Sequence, residues 1–493
     1  MAQPKSRGAC RYVAAIVFLL IGLALVFLSV FLFPVVLERV VKKKLEETDV
    51  VLRPGSKGFD EWKTPGSTVY YKVYFFNVTN PDHVITGSKP LLSVVGPYVY
   101  RDVRVKTNIT FNDNQTVLQY KLHSFYMFDR EKTDESLDPD QDNITTLNIP
   151  FLGVVDRAMN REIRNSTLDM LKQILDQAHE QLFITKAPTK LLWGYQDKLT
   201  EILHLAHSLP NAMFGLVYND SDTDWKNYSS IRTGSDDINA VGQYVEWRGK
   251  TNLSYWGGPQ ANMINGTDGT LFHPHVKRNE SLQLFIDNLY RSSYLDYQKD
   301  VKLTWSWMPL YRFEMPKWEL WNETRCPLNA QFYANWLYGI LNLSNATKAP
   351  IYTSFPYFLD ADPEIRRNIS GLREGDPESD SSFLDIEPIT GLVMRFQKQV
   401  QVNARVQQYN TTGGDYPNWS QTSYIHDALI PVFYVNETAT ADYSHVNLIA
   451  NGIRWGATAL GGIIVIICVV LLLVWTCGRP HGYEELAQVS QKK

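Results

Sequence analysis

Cysteine is scarce in this chain. Its 493 residues include 4, and Cys10, Cys468 and Cys477 fall at or within apolar runs near the termini. Cys326 alone remains in the long middle segment. A single cysteine makes no internal bridge, so the segment must be held by its core and by any glycans it carries. Cys326 is either a buried, inert thiol or half of a bridge to another chain. An excess of positive charge is also missing: 48 Lys and Arg stand against 52 Asp and Glu, a net charge of -4. The basic residues are scattered, which excludes the basic stripe of a nucleic-acid binder. Catalytic signatures are absent too, with no Gly-X-Ser-X-Gly elbow, no phosphate-binding Gly-rich Lys loop and no His-Glu-X-X-His helix. His273-Pro-His275 lacks a nearby third ligand, and Asp138, Asp140 and Asp142 lack the turn glycine and closing glutamate of a calcium loop. The sequence therefore reads as non-enzymatic, with no metal and no cofactor.

Two long uncharged apolar runs stand out against this background. The first is Val13 to Leu37 and the second Gly456 to Trp475, bracketed by Trp455 and Trp475. A helix needs ~20 apolar residues to cross the hydrocarbon core, and each run supplies them. A cleaved signal peptide has an apolar region of only ~7–15 residues, so an uncut anchor is expected at 13–37. Lys5, Arg7 and Arg11 favour a cytoplasmic amino terminus, whereas Arg39, Lys42, Lys43 and Lys44 oppose it.

The Asn-X-Ser/Thr triplets resolve that conflict. They begin at Asn77, Asn108, Asn114, Asn143, Asn165, Asn219, Asn227, Asn252, Asn265, Asn279, Asn322, Asn342, Asn345, Asn368, Asn410, Asn418 and Asn436. All lie between the apolar runs, and such triplets accept glycans only in the secretory lumen. The expected organisation is a cytoplasmic tail (1–12), a membrane helix (13–37), a glycosylated lumenal or extracellular domain (38–454), a second membrane helix (455–475) and a cytoplasmic tail (476–493). Cys10 and Cys477 then sit just inside the cytoplasm, where they are either palmitoylation sites or ordinary boundary cysteines.

Within the ectodomain, strand signals dominate. Val69 to Phe76 is rich in β-branched and aromatic residues and stops at the turn signal Asn80-Pro81. Between Tyr98 and Thr110, Val103, Val105, Thr107 and Ile109 alternate with Arg104, Lys106 and Asn108. Leu118, Tyr120 and Leu122 alternate with Gln119, Lys121 and His123. From Leu392 to Val406, Met394, Phe396, Val400, Val402, Ala404 and Val406 alternate with Arg395, Gln397, Gln399, Gln401, Asn403 and Arg405. A period of two predicts strands with one dry and one wet face, in a large antiparallel sheet closed toward a barrel.

Residues 151–209 break the pattern. Ser166-Thr-Leu-Asp169 resembles a capping box, and Leu168, Leu171, Ile174, Leu175, Ala178 and Leu182 recur at helical spacing. Leu192, Leu199, Ile202, Leu203 and Ala206 form a second stripe ending before Pro210. The domain is therefore α+β. The stripes are either helix-on-helix core or an exposed apolar apex that grips a partner or lipid, with Ile149 to Val155 the best candidate for the exposed part. His204 and His207 share a helix face and are either surface residues or an acid sensor. In the carboxy-terminal tail, Gly482-Tyr483-Glu484-Glu485-Leu486 has the tyrosine and apolar spacing that clathrin adaptors bind as an extended peptide.

Several longer stretches resemble the class B scavenger receptor family. They are Tyr74-Phe-Phe-Asn-Val-Thr-Asn-Pro81, Val95-Gly-Pro-Tyr-Val-Tyr-Arg101, Leu191-Leu-Trp-Gly-Tyr195, Asn262-Met-Ile-Asn-Gly-Thr-Asp-Gly269 with Phe272-His-Pro274, Ser354-Phe-Pro356 and Asp385-Ile-Glu-Pro-Ile-Thr-Gly391. The resemblance implies a two-pass glycoprotein whose barrel-like ectodomain carries an apical helical bundle and encloses an apolar tunnel. It implies ligands such as lipids, sterols and lipoproteins, or a soluble lumenal hydrolase, captured at an apex of roughly Phe151 to Phe183, with Phe151, Leu152, Val155 and Met159 as contact residues. The expected function is lipid uptake or transfer at the plasma membrane or along the endolysosomal route; the alternative is transport of that hydrolase to the lysosome. One departure is coherent: where the family usually has a cysteine before Asn262-Met-Ile, this chain has Ala261, and the usual partner cysteine is also missing.

Overall fold

The computed structural model describes residues 50–159, 180–205, 212–217, 228–302, 309–332, 337–408 and 424–441, with isolated positions elsewhere. Two compact units are distinguished, one of residues 48–303 and 309–441 and one of residues 1–47, 304–308 and 442–493. In the latter unit, Ile16, Val17, Leu20, Leu23 and Phe27, and Ile463, Val465, Ile466, Ile467, Val469 and Val470, are helical with exposed side chains. No helix among the described residues is long and apolar enough to cross a membrane.

In the larger unit the strands are β1 (Val69–Val78), β2 (Leu92–Phe111), β3 (Val117–Phe128), β4 (Ile144–Leu147), β5 (Phe183–Lys186), β6 (Ser229–Arg232), β7 (Tyr244–Glu246), β8 (Ser281–Ile286), β9 (Arg291–Val301), β10 (Leu310–Glu314), β11 (Leu341–Asn342), β12 (Ile351–Ser354), β13 (Phe383–Ile386), β14 (Val393–Val406) and β15 (Ala428–Thr440). The helices used below are α1 (Lys57–Lys63), α2 (Pro81–Ile85), α3 (Ile149–Met159), α4 (Pro188–Trp193) and α5 (Lys198–Leu205). A 13-stranded sheet runs β7-β6-β3-β2-β1-β15-β14-β13-β10-β9-β8, with β12 added on β14 and β11 on β12. The ladders are antiparallel, and β4 pairs with β5 in a small separate sheet. The fold is therefore α+β and mostly antiparallel sheet.

Barrel closure needs correcting. Among the described residues no ladder joins the terminal strands β7 and β8. They are instead stitched by a short irregular segment: Tyr244 N donates to Gly266 O (2.9 Å), Thr267 N to Gln283 O (3.2 Å) and Phe285 N to Thr267 O (2.9 Å). Gly266 has φ +90°, and a Cβ there would lie 2.3 Å from the Gln283 carbonyl, so only glycine lets this segment come so close to β8.

The assignment of dry and wet faces also needs correcting. In β2, Val103 and Val105 are each 40% exposed, whereas Asp102 and Lys106 are only 4% and 6% exposed. The charged face points inward and the valines point out. In the middle of β14 the side expected to be wet is the better buried one: Gln401 and Asn403 are completely buried and Gln399 nearly so, while Met394, Ala404 and Val406 toward the strand ends are buried as expected. Their amides are satisfied within a second layer. Tyr357 N donates to Gln401 Oε1 (2.7 Å), Gln401 Nε2 to Asn403 Oδ1 (2.7 Å), and Asn403 Nδ2 to Ser354 Oγ (3.1 Å). A buried amide costs little once every donor and acceptor is paired, so polarity alone did not place this face in water. The opposite face, with Phe396, Lys398, Val400 and Val402, is only half-buried.

The helical exception is present but broken up. α3, α4 and α5 are separate, and an isolated bridge between Tyr195 and Phe214 intervenes between α4 and α5. Leu175, Leu182, Leu192 and Leu199 belong to the main core, as expected of a packed stripe. Residues 160–174, with the suggested capping box, lie outside the described residues, as do His207 and Ala206.

Candidate functional site

The apex segment does not expose its apolar residues. Phe151, Leu152 and Val155 are 3%, 0% and 0% exposed and belong to the main core cluster. The expectation of an exposed Ile149 to Val155 patch is therefore corrected in favour of helix core. Asn148 caps α3, its Oδ1 accepting from Phe151 N (3.2 Å) while its Nδ2 donates to Glu180 (2.9 Å). Gly153 lets the helix lie close to the Lys348 carbonyl, 3.2 Å from where a Cβ would sit. The Met159 side chain lies outside the description.

The chemistry lies on the inner face of the sheet, where cross-strand registers assemble a polar and aromatic belt. Phe128, Tyr100, Tyr71, Glu437 and Lys398 form one row across β3, β2, β1, β15 and β14. Tyr98, Val73, Val435 and Val400 form the next row on that face, one pleat away, and it is apolar apart from the tyrosine hydroxyl. On the other side of the belt Asp102 opposes Tyr126. Tyr126 packs on Tyr71 and Trp193, with ring centroids 4.8 and 4.9 Å apart, and Tyr100 meets Trp193 edge-on at 5.2 Å. An aromatic cluster thus borders the charges.

The charges form a connected set. Arg104 Nε donates to Asp102 Oδ2 (2.8 Å), and its Nη2 pairs with Glu437 Oε1. Reaching Glu437 means crossing β1, a span of about 10 Å between next-but-one strands. Lys398 Nζ lies 3.8 Å from Glu437 Oε2 and 3.9 Å from Asp287 Oδ1. Asp287 comes from the turn between β8 and β9, beyond β13 and β10 in the strand order, so the sheet curls to bring that turn over β14. Burial holds the Asp102 carboxyl up at about 6, despite the pull of Arg104 and with a push from Glu437. Burial opposes the charge of Arg104, but Glu437 and Asp102 outweigh it and hold the guanidinium charged. Burial also opposes ionisation of Asp287; Lys398, Arg104 and Arg248 outweigh it and keep its carboxyl below the usual range.

Next along β2, Lys106 donates to the Trp62 carbonyl of α1 (2.6 Å) and lies 4.5 Å over the Trp62 ring. Burial pulls its ammonium down to about 8. Sequence reading missed this belt because it equated polar with outward. The signal was present: Asp102 and Arg104 are successive residues on one strand face, carry opposite charge and can pair with each other.

Other candidate residues sort cleanly. Among the described residues no group of His, Cys, Asp or Glu could hold a metal ion. Asp142 Oδ2 instead accepts from Tyr98 Oη (2.6 Å) and from Asp138 N (2.9 Å). His273 Nε2 lies 3.7 Å from Glu280. Cys326 is a free, half-buried thiol. Asn108, Asn114, Asn143, Asn252, Asn279 and Asn345 are exposed. Asn77, Asn265, Asn322, Asn342, Asn368 and Asn436 are half-buried, and Asn77 Oδ1 accepts from Thr145 N (2.8 Å). Asn165, Asn219, Asn227, Asn410, Asn418, Cys10, Cys477, Tyr483 and Leu486 lie outside the described residues. A cleft of about 160 Å³ is lined by Gln243, Thr267, His273 and Gln283, and a void of about 10 Å³ lies between Arg291 and Glu319. Neither has the size or lining of an apolar lipid tunnel.

Comparison with known proteins finds relatives that match most of the chain. Lysosome membrane protein 2 of Rattus norvegicus is 34% identical over 461 residues, covering 90% of this chain and 91% of that protein. The Homo sapiens protein of that name is 35% identical over 413 residues, covering 83% of this chain and 82% of the relative. Scavenger receptor class B member 1 of Bos taurus is 30% identical over 441 residues, 88% of this chain and 82% of the relative. The CD36 family model matches residues 20–478, a span that takes in the belt, α3, most of the first apolar run and all of the second. The chain belongs to the CD36 family.

Proposed function

We propose that this protein is a membrane-held glycoprotein receptor that binds lipids or lipoproteins and takes lipid up or passes it on. Membership of the CD36 family, together with likeness to scavenger receptor class B member 1, carries the reading. The inner sheet face adds physical support. A half-buried apolar surface of Phe396, Val400 and Val402 beside an aromatic cluster suits an acyl or sterol body. Each CH₂ leaving water there contributes about 0.8 kcal/mol. In this reading the curled sheet encloses an apolar path, α3 to α5 cap it, and helices at 13–37 and 455–475 anchor it with both tails in the cytoplasm. The exposed helical side chains Ile16, Leu20, Leu23 and Phe27, spaced along one helix face, are suited to lipid contact.

A second reading rests on the likeness to Lysosome membrane protein 2. Here the chain is a lysosomal membrane protein that carries a soluble lumenal hydrolase at α3 to α5, and Tyr483 and Leu486 bind clathrin adaptors. The two readings part in one experiment on the detergent-solubilised full chain. Saturable binding of a fluorescent sterol or fatty acid supports the first. Capture of a lumenal hydrolase with no lipid binding supports the second and overturns the first.

A further inference from the structure

The belt is more than a set of internal salt bridges, because its cations are not fully used. Arg104 spends Nε and Nη2 on Asp102 and Glu437, but Nη1 has no partner among the described residues, and the side chain is 36% exposed. Lys398 lies too far from Glu437 and Asp287 for a hydrogen bond, at 3.8 and 3.9 Å, so none of its ammonium hydrogens is satisfied by a described residue. Glu437 lies between these cations, its Oε1 on Arg104 and its Oε2 facing Lys398. The Arg104 and Lys398 side chains are 36% and 31% exposed, so these donors are left to water or to a ligand that takes its place. Unfilled donors on neighbouring, partly exposed cations beside tyrosine and tryptophan rings have the form of a seat for an anion with an apolar body.

The same cluster contains an acidic group placed to regulate the seat. Asp102 is 4% exposed, and its Oδ1 has no hydrogen-bond partner. The charged and titratable groups around it are Arg104 on its own strand, Glu437 on β15, Lys398 on β14, Tyr126 opposite on β3, and, further across the interior, Asp287 and Arg248. While Asp102 is ionised, Asp102, Glu437 and Asp287 balance Arg104, Lys398 and Arg248. A proton on Asp102 leaves a net positive charge and releases the Nε side of the Arg104 fork. Burial already holds this carboxyl at about 6, within the range an endosome crosses.

We propose that Arg104 and Lys398 form a seat for the anionic head group of an amphiphile inside the curled sheet, and that acidification strengthens the seat by neutralising Asp102. This deepens the lipid-binding reading and rests on it. A head group there would place its chain along the half-buried Tyr126 and Phe128 rings and the Val400 face.

The test uses the full chain in detergent and a fluorescent long-chain alkyl sulfonate, which stays ionised throughout, beside the uncharged alcohol of the same chain. Sulfonate binding should tighten about tenfold between about pH 7.5 and about pH 5, the scale of one nearby charge removed in a partly solvated site. Alcohol binding should not change with pH. Asp102→Asn should bind the sulfonate at the higher pH as tightly as the unaltered protein does at the lower, and Arg104→Gln or Lys398→Met should lose most of the sulfonate preference. Alcohol binding with no pH-dependent gain for sulfonate would overturn the seat and leave the lipid reading standing. Failure of both probes would overturn both. Equal displacement of the probe by methanesulfonate would make this a site for free anions and overturn the amphiphile assignment. Should Arg104→Gln fail to fold, a pH response in Asp102→Asn equal to that of the unaltered protein would still refute the proposal.

Discussion

Single residues in this molecule are governed by how completely their polar atoms are paired. Asp102 is the sharpest case. Its carboxyl is held above its ordinary value, so the folded state binds a proton more tightly than the unfolded chain does. Stability then rises as pH falls through about 6, and the ionised form is the costly one. The ceiling on this effect is about 3 kcal/mol, from roughly two pH units at 1.36 kcal/mol each. The thermal midpoint should therefore climb between about pH 7 and about pH 5. Asp102→Asn should raise the midpoint at neutral pH and flatten that climb; a mutant with the parent's pH profile would show that Asp102 is not the group involved. Glu319 and Glu314, also raised by burial, act in the same sense. Gly266 is decisive for geometric reasons. Gly266→Ala meets the Gln283 backbone at 2.3 Å and should lose about 1–3 kcal/mol or more. Gly249→Ala, at a similar positive φ but with nothing within 4 Å, should lose less in chemical denaturation.

At the scale of elements, packing overrode simple patterning. α3 lies inside the core, so Leu152→Ala should cost about 2–5 kcal/mol by denaturant midpoint, the range for an emptied core site. A cost near zero would restore the exposed-apex reading. β14 carries the complementary lesson. Asn403 is fully buried and accepts from Gln401, so Asn403→Ala should cost about 1–3 kcal/mol by stranding that amide. What could be read beforehand was the existence of these elements. β1 begins at Val69 and ends before Asn80-Pro81, which opens α2, because β-branched runs and proline act locally. Which side of β2 or β14 faced the interior was not local. Alternation reports two faces without saying which is covered, and in this sheet another layer covers the amide face of β14 while charges pair inside β2.

For the molecule as a whole, the distribution of glycan triplets and the tail motif make claims about topology. Tyr483→Ala should shift the protein toward the cell surface in surface biotinylation, with unchanged distribution removing the adaptor role. Occupied glycans at the exposed Asn108, Asn114, Asn252 and Asn279 would place residues 38–454 in the lumen.

The sequence by itself determined the predominance of strands, the interruption by helices and the family, because each rests on local composition or on strings of adjacent residues. Only the tertiary structure decided that Phe151, Leu152 and Val155 are core, that the sheet edges meet through Gly266, and that Arg104 reaches Glu437 across an intervening strand. Those outcomes depend on register and curvature, over as many as the 333 positions between Arg104 and Glu437. No pattern within one strand contains that information, since a side chain's partner is set by which distant strand the backbone ladder brings beside it.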